Sequence, residues 1–295
     1  MKIGMLVLTP YEMPLITGQV RAGVLLNITD EKGNTAAGDV APLPLWSRET
    51  LDEALEELKQ KKEAILKIDW TANNIFKELT ALHLLPSLSF GLESALLSLL
   101  SPLPKYSPQT SALLMGSYEE ILERAFPRKQ EGYTSAKLKV GHLSFKEASD
   151  LINQLKDTFH LRIDVNRAWK TKDSLDFFSE FPLDAFDYVE EPFQNPHDLK
   201  LFTHPLAVDE SFPSDLTLKD LENLPTLKAL IYKPTIQGGM LHCLPIQKWA
   251  NKKNISLVLS SSFESKTGLA HITSIAQRLS LNAPIGIGTS DYIRT

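Results

Sequence analysis

Cysteine is almost missing: Cys243 is the one thiol in 295 residues, so an intrachain disulfide is excluded and a reducing cytoplasm is the expected location. Its setting, Met240-Leu-His-Cys-Leu-Pro245, reads as a small buried residue on a helix. Long apolar runs are missing too. No stretch approaches the ~18 residues needed to span a bilayer, and Met1 to Leu8 is followed at once by Thr9, Pro10, Tyr11 and Glu12, too short a run for a signal peptide. A membrane is therefore not an expected partner. A surplus of basic charge is also absent: 31 Lys and Arg stand against 36 Asp and Glu, a net charge of −5, with no basic stripe for a phosphodiester backbone. Nucleic acid is not expected either. The seven histidines, His197 and His204 among them, show no metal-ligand spacing and read as surface or loop residues. Gly286-Ile-Gly288 lacks the glycine context of a phosphate loop and reads as a close-packed strand end.

Apolar residues make up 43% of the chain, and 295 residues suggest about two domains. In the first hundred residues, Ile3 to Leu8 and Val20 to Ile28 read as strands, and Thr29-Asp-Glu-Lys-Gly-Asn34 reads as a hairpin turn to a third strand. Strands without intervening helices imply an antiparallel sheet. Thr50-Leu-Asp-Glu53 is a candidate capping box for a helix running to about Gln60, and Leu85 to Leu100 forms an apolar packing helix. Three prolines in Ser101-Pro-Leu-Pro-Lys-Tyr-Ser-Pro108 place the boundary there, dividing the chain into an α+β domain, 1–102, and a second domain, 103–295.

From Ser111 onward strand and helix alternate, with strands expected at Ala112 to Gly116, Ala136 to Val140, Leu161 to Asp164, Phe186 to Glu190, Leu206 to Asp209, Ala229 to Lys233, Ile255 to Ser260 and Pro284 to Gly288. Ser135-Ala-Lys-Leu-Lys-Val-Gly141 anchors this half, with Ala136, Leu138 and Val140 on one face and Lys137 and Lys139 on the other. Counted from Lys139, charged strand ends recur after 25, 26, 19 and 24 residues, at Asp164, Glu190, Asp209 and Lys233. Eight parallel strands with short βα units close into a barrel, whose chemistry lies at the strand ends. Five charges converging on one mouth are costly to bury without a metal.

Asp164, Glu190 and Asp209 form an oxygen-only donor set, which suits a hard cation such as Mg²⁺; zinc is disfavoured because no histidine or cysteine falls at these positions. Lysines beside a metal and partly buried are shifted toward the neutral amine and can take a proton. The substrate expected is a small carboxylate with an acidic carbon next to the carboxyl group, whose enediolate the metal stabilises. Arg162, two residues before Asp164, points into the barrel by parity, one layer deeper, and with Lys137 and the metal is expected to lower the pKa of Lys139.

Lys137-Leu-Lys139, Ile163-Asp-Val-Asn-Arg-Ala-Trp169, Val189-Glu-Glu-Pro192, Val208-Asp-Glu210 and Tyr232-Lys-Pro-Thr235 resemble, in order and spacing, the enolase superfamily in its muconate-cycloisomerase-like branch. Within the branch the chain is most similar to the o-succinylbenzoate synthases, by its short length, by Ala41-Pro-Leu-Pro-Leu-Trp-Ser-Arg-Glu-Thr50 and by Ser260-Ser-Ser-Phe-Glu-Ser265. The resemblance implies an α/β, enolase-like fold: a modified (β/α)7β TIM barrel with an N-terminal α+β capping domain. It also implies Asp164, Glu190 and Asp209 as ligands of Mg²⁺, with Mn²⁺ as a substitute. Lys139 corresponds to the second lysine of the KxK motif, which takes the α-proton and then helps expel hydroxide as water. Lys233, the second catalytic lysine, faces it mainly as a cation near the enediolate and the ring, with the role of the other acid or base as the alternative; Lys137, and Arg162 by its parity, are expected in substrate-binding or supporting places. Ser261 and Ser262 are candidates for the succinyl carboxylate, against a plain turn role. Glu191 points away from the ligands by parity, and Trp169 reads as a packing residue.

The leading expectation is Mg²⁺-dependent dehydration yielding 2-succinylbenzoate. The alternatives are racemisation of N-acylamino acids or epimerisation of dipeptides, and a non-catalytic relative. An epimerase's acidic pair at the eighth strand is missing from Ile285-Gly-Ile-Gly-Thr289, with only Asp291 beyond, and no ligand or lysine of the motif set is lost. The Pro10 to Val20 segment is expected as a loop that closes over substrate and excludes water. Monomer and small homo-oligomer both remain open.

Overall fold

The computed structural model describes residues 1–101 and 107–294, so the expected boundary at 102/103 lies outside the described residues. The chain forms two compact units, one made of Met1–Pro108, Tyr232–Trp249 and Leu259–Thr295, the other of Gln109–Ile231 and Ala250–Val258.

The first unit opens with an antiparallel sheet, β1 (Ile3–Pro14), β2 (Val20–Asp30) and β3 (Thr35–Val40), in the order β1-β2-β3. β1 runs six residues past the expected Leu8, through Pro10 and Pro14. It is an edge strand, where a missing N–H costs no ladder bond. The Pro10 to Val20 segment is therefore not a loop: Tyr11 pairs with Gly23 and Glu12 with Ala22, leaving a short turn around Ile16 to Gln19. The β2–β3 turn is as expected, tied by the Asp30 carboxylate, which accepts from the N–H groups of Lys32 and Asn34. Next come α1 (Leu51–Lys67), α2 (Ile75–Leu82) and α3 (Pro86–Leu100). The Thr50/Glu53 capping box is present, but α1 passes Gln60 by nearly two turns, because strong helix formers continue and Ile65 joins Ala54 and Leu58 on its buried face. From Pro86 to Leu97 α3 is buried on all sides. It meets β3 so closely that a methyl group on Gly38 would collide with the carbonyl of Gly91.

The alternating half supplies β4 (Ala112–Leu114), α4 (Tyr118–Gln130), β5 (Ser135–Lys139), α5 (Phe145–Leu155), β6 (His160–Asp164), α6 (Thr171–Phe178), β7 (Tyr188–Glu190), β8 (Leu206–Val208), α7 (Ser211–Ser214), α8 (Leu218–Leu221), β9 (Leu227–Tyr232), α9 (Pro234–Gln237), α10 (Met240–Lys253), β10 (Ser256–Leu259) and α11 (Lys266–Leu279). The sheet order β4 to β10 follows chain order, and the pairs from β4 to β9 are parallel, which is the signature of repeated right-handed crossovers. Among the described residues seven strands form in this sheet; the expected eighth is reduced to one bridge, Ser260 to Gly286. Pro284 has no N–H, glycine weakens a strand interior, and a 3₁₀ turn begins at Gly288. Cys243 is buried on α10, as expected. His204 is in a loop, as one of the two expectations had it, but not on the surface: it lies buried beside Phe178, Phe186 and Phe202, with Nε2 3.1 Å from the Phe181 carbonyl. Trp169 packs against Phe145, Phe177 and Phe178. No helix among the described residues is long and apolar enough to cross a membrane.

Candidate active site

Strand register builds the first cluster. Lys139 is paired with Asp164, and Asp164 with Glu190, so three charged residues stand in one row across β5, β6 and β7. Lys137, Arg162 and Tyr188 form the next row, two residues deeper on the same face. Gly141 ends the lysine stretch where Val140 N donates to Asp164 O at 2.9 Å, and a side chain on Gly141 would strike the Val165 carbonyl.

The Lys137 ammonium lies 2.6 Å from Glu190 Oε1 and 2.9 Å from Asp164 Oδ2; Lys139 lies 3.1 Å from the same Asp164 oxygen and donates to Asn166 Oδ1 at 2.7 Å. Burial opposes charge on Lys137, but Asp164, Glu190 and Asp209 outweigh it and push its pKa well above the ordinary lysine value. Burial likewise opposes charge on Asp164, yet the two ammonium groups hold its carboxyl well below the usual carboxylate range. Arg162 is buried one row deeper, as parity requires, with Nε 3.3 Å from Asp187 Oδ2 and its guanidinium 5.2 Å from the centre of the Tyr188 ring.

Glu190 and Asp209 come together with Glu210: each offers a carboxylate oxygen, and the three lie within 4.8 Å of one another. This oxygen-only set has the donor chemistry of a hard divalent cation and lacks the nitrogen or sulfur that zinc prefers. Asp164 stands beside Glu190 in register, with its Oδ1 accepting from Asn166 N at 2.9 Å. Glu191 turns away in a left-handed backbone conformation, φ 47°, and its buried carboxylate accepts from the N–H groups of Asp209 and Ser211 and from the Ser211 hydroxyl. It fixes the peptide that carries Asp209. Burial, with Glu210 adding to it, pushes the Glu191 carboxyl up to about 8.

Lys233, Ser261 and Ser262 belong to the other compact unit. Lys233 immediately precedes α9, with its ammonium 4.8 Å from the centre of the Trp46 ring. Ser261 Oγ lies 2.7 Å from Thr289 Oγ1 and 3.0 Å from Gly286 O. Ser262 donates its N–H to Glu264 Oε2 at 2.6 Å and accepts from Arg21 Nε at 3.3 Å through its carbonyl. Arg21 also donates to the carbonyls of Ala41 and Pro42, holding the loop that leads to Trp46. Glu93, in the middle of α3, accepts from the N–H groups of Met240 and Leu241 at the start of α10, and burial pushes its carboxyl up to about 7.

Sequence reading gave no role to Asn166, Glu210, Arg21, Glu93 or Glu264. Asn166 lies two residues past Asp164 in a left-handed turn, φ 47°, where strand parity no longer applies, and Glu210 adjoins a proposed ligand. Arg21, Glu93 and, through Thr235, Glu264 act on partners 20 or more residues away, for which one sequence carries no signal.

Comparison with known proteins follows the same two regions. The Enolase C-terminal domain-like family matches residues 120–284, and the MenC N-terminal domain family matches residues 16–99. The o-succinylbenzoate synthase of Edwardsiella ictaluri (strain 93-146) is 30% identical over 296 residues, covering 95% of this chain and 88% of that protein. That of Pasteurella multocida (strain Pm70) is 29% identical over 289 residues, covering 92% and 83%. Among solved structures, a mandelate racemase/muconate lactonizing protein from Herpetosiphon aurantiacus superposes with a TM-score of 0.85 at 20% identity, covering 100% of this chain and 91% of that one. A dipeptide epimerase from Methylococcus capsulatus, complexed with Mg and dipeptide L-Arg-D-Lys, gives 0.85 at 19% identity, covering 100% and 93%. At these identities the structures establish the shared fold.

Proposed function

The chain belongs to the enolase superfamily and, within it, to the o-succinylbenzoate synthase family, and from that premise we propose that it dehydrates 2-succinyl-6-hydroxy-2,4-cyclohexadiene-1-carboxylate to 2-succinylbenzoate, a step of menaquinone biosynthesis. The observation that carries the reading is the register row Lys139, Asp164, Glu190, which puts a lysine and two carboxylates at the ends of adjacent parallel strands. Asp164, Glu190 and Asp209 are the proposed holders of Mg²⁺, with Mn²⁺ as a substitute and Glu210 beside them. When bound there, the cation supplies positive charge against the second negative charge that develops on the substrate carboxylate.

Lys139 is the proposed base. It takes the proton from the carbon bearing the carboxylate, giving an enediolate, and returns that proton to the departing 6-hydroxyl, which leaves as water while the ring becomes aromatic. Asn166 and Asp164 aim its ammonium, at 2.7 and 3.1 Å. Lys137, held as an ammonium by three carboxylates, keeps the cluster neutralised while Lys139 changes charge. Lys233 is assigned the role of a fixed cation toward the enediolate and ring, and Ser261 and Ser262 the succinyl carboxylate. The test is turnover of the cyclohexadiene by purified protein with and without Mg²⁺, beside a panel of N-succinyl amino acids. Turnover confined to the panel overturns the reading in favour of a racemase.

A further inference from the structure

Resting on that functional reading, we propose that Glu264 is a positioning residue that holds Lys233 and Ser262 in one frame. Glu264 lies in the loop that joins β10 to α11, is fully buried, and uses both carboxylate oxygens. Oε1 accepts from the Thr235 hydroxyl at 2.6 Å, and Thr235 is buried in the first turn of α9, two residues past Lys233. Oε2 accepts from Ser262 N at 2.6 Å. One rigid group therefore joins the segment that carries Lys233 to the segment that carries Ser262. Arg21 grips the same serine from its carbonyl side, so the Ser262 peptide is held at both ends. What stays open is its hydroxyl, buried and without a hydrogen-bond partner among the described residues. An ordinary packing glutamate does not explain that pattern, because burying a carboxylate is costly unless the hydrogen bonds it makes are themselves needed. Two short bonds to two segments give the ammonium and the open hydroxyl a fixed separation, which a substrate carrying charge at both ends requires.

The test uses Thr235→Val, which removes the hydroxyl and keeps the shape, Thr235→Ser, which keeps the hydroxyl, and Glu264→Asp, which is too short to reach both partners. Two readouts are taken: steady-state kinetics on the cyclohexadiene, and the rate of Lys233 acetylation by acetic anhydride, read by peptide mass spectrometry against the exposed Lys59. Thr235→Val and Glu264→Asp are expected to lower kcat by about tenfold to a hundredfold, with a smaller change in KM, and to change Lys233 acetylation several-fold. Thr235→Ser is expected to restore both. If Glu264→Asp does not fold, the Thr235 pair decides alone. Wild-type kinetics and wild-type acetylation in Thr235→Val overturn the proposal, as does equal impairment of the Val and Ser variants. If wild type does not turn over the cyclohexadiene but the acetylation difference persists, positioning stands and the reaction assigned above falls.

Discussion

Asp164 and Glu93 are both fully buried carboxylates, yet their surroundings push them in opposite directions. Asp164 faces two ammonium groups and is held far below the usual range. Glu93 faces backbone N–H groups, and burial pushes it up to about 7. Asp39 and Glu264 follow Glu93: burial raises both, against hydrogen bonds from Tyr11 and Ser265 in one case and Thr235 and Ser262 in the other. The first setting trades charge against charge and can exchange one cation for another. The second uses neutral donors to hold backbone segments in place. The proposed chemistry sits in the first, and the second is framework.

The largest effect should come from the charged setting. Lys139→Ala is expected to lower turnover by about 10³ to 10⁴, while Mg²⁺ binding, followed by titration calorimetry, persists. Solvent deuterium exchange at the α-carbon of N-succinyl amino acids, which cannot eliminate water, isolates the proton step. Exchange that continues undiminished on both faces would show that Lys139 is not the base.

Lys137 gives the next effect. Lys137→Met removes the ammonium that Asp164 and Glu190 share and leaves Lys139 against Asp164, and removing one partner of a buried ion pair costs about 3 to 5 kcal/mol. Urea midpoints should drop accordingly in metal-free buffer. Because a ligand that binds only the folded state stabilises it, Mg²⁺ at a hundredfold excess over its Kd should return roughly 2.7 kcal/mol. The same gain from Mg²⁺ in a variant also carrying Glu190→Gln and Asp209→Asn would place the ion elsewhere.

The two settings also differ in how far they could be read in advance. Period-two alternation exposed Lys137 and Lys139, and the recurrence of charged strand ends exposed Asp164, Glu190 and Asp209, because side-chain parity and strand spacing are local properties of the chain. The charged row was legible for that reason. The framework was not: Glu93 lay inside an apolar run and read as packing, though its partners are the N–H groups of Met240 and Leu241. The reach of β1 through its prolines depended on its being an edge strand, and the loss of the eighth strand on how far Gly286 could pair. Both are decided by neighbours in space.

Glu93 makes the framework setting measurable. An acid whose folded pKa is raised from 4.5 to about 7 binds more protons folded than unfolded, so its stabilising contribution is complete below 4.5 and is lost as pH rises through about 7. The loss is on the order of 3 kcal/mol at most. Wild-type unfolding free energy should fall across that window, and Glu93→Gln should flatten the fall. The amide also sets its own NH₂ against one of the two N–H groups, a cost that does not vary with pH. An unchanged slope in Glu93→Gln would assign the titration to another group.

Glu53 supplies the smallest effect and isolates the cause. Like Glu93 it accepts a backbone N–H at a helix start, that of Thr50 at 2.7 Å, but it is exposed. The hydrogen bonds from Thr50 outweigh a smaller opposing effect of burial and lower its pKa from 4.5. The sign of the linkage therefore reverses: Glu53 contributes stability above 4.5 and loses it as pH falls through its lowered value. Glu53→Gln should flatten a small rise in stability at the acid end and leave the slope between 4.5 and 7 untouched, while Glu93→Gln does the converse. Melting curves of the two variants and of the double variant, taken at several pH values, separate the contributions, since one residue lies in the exposed first turn of α1 and the other in the buried middle of α3. If both variants altered the same pH window, burial would not be what distinguishes them.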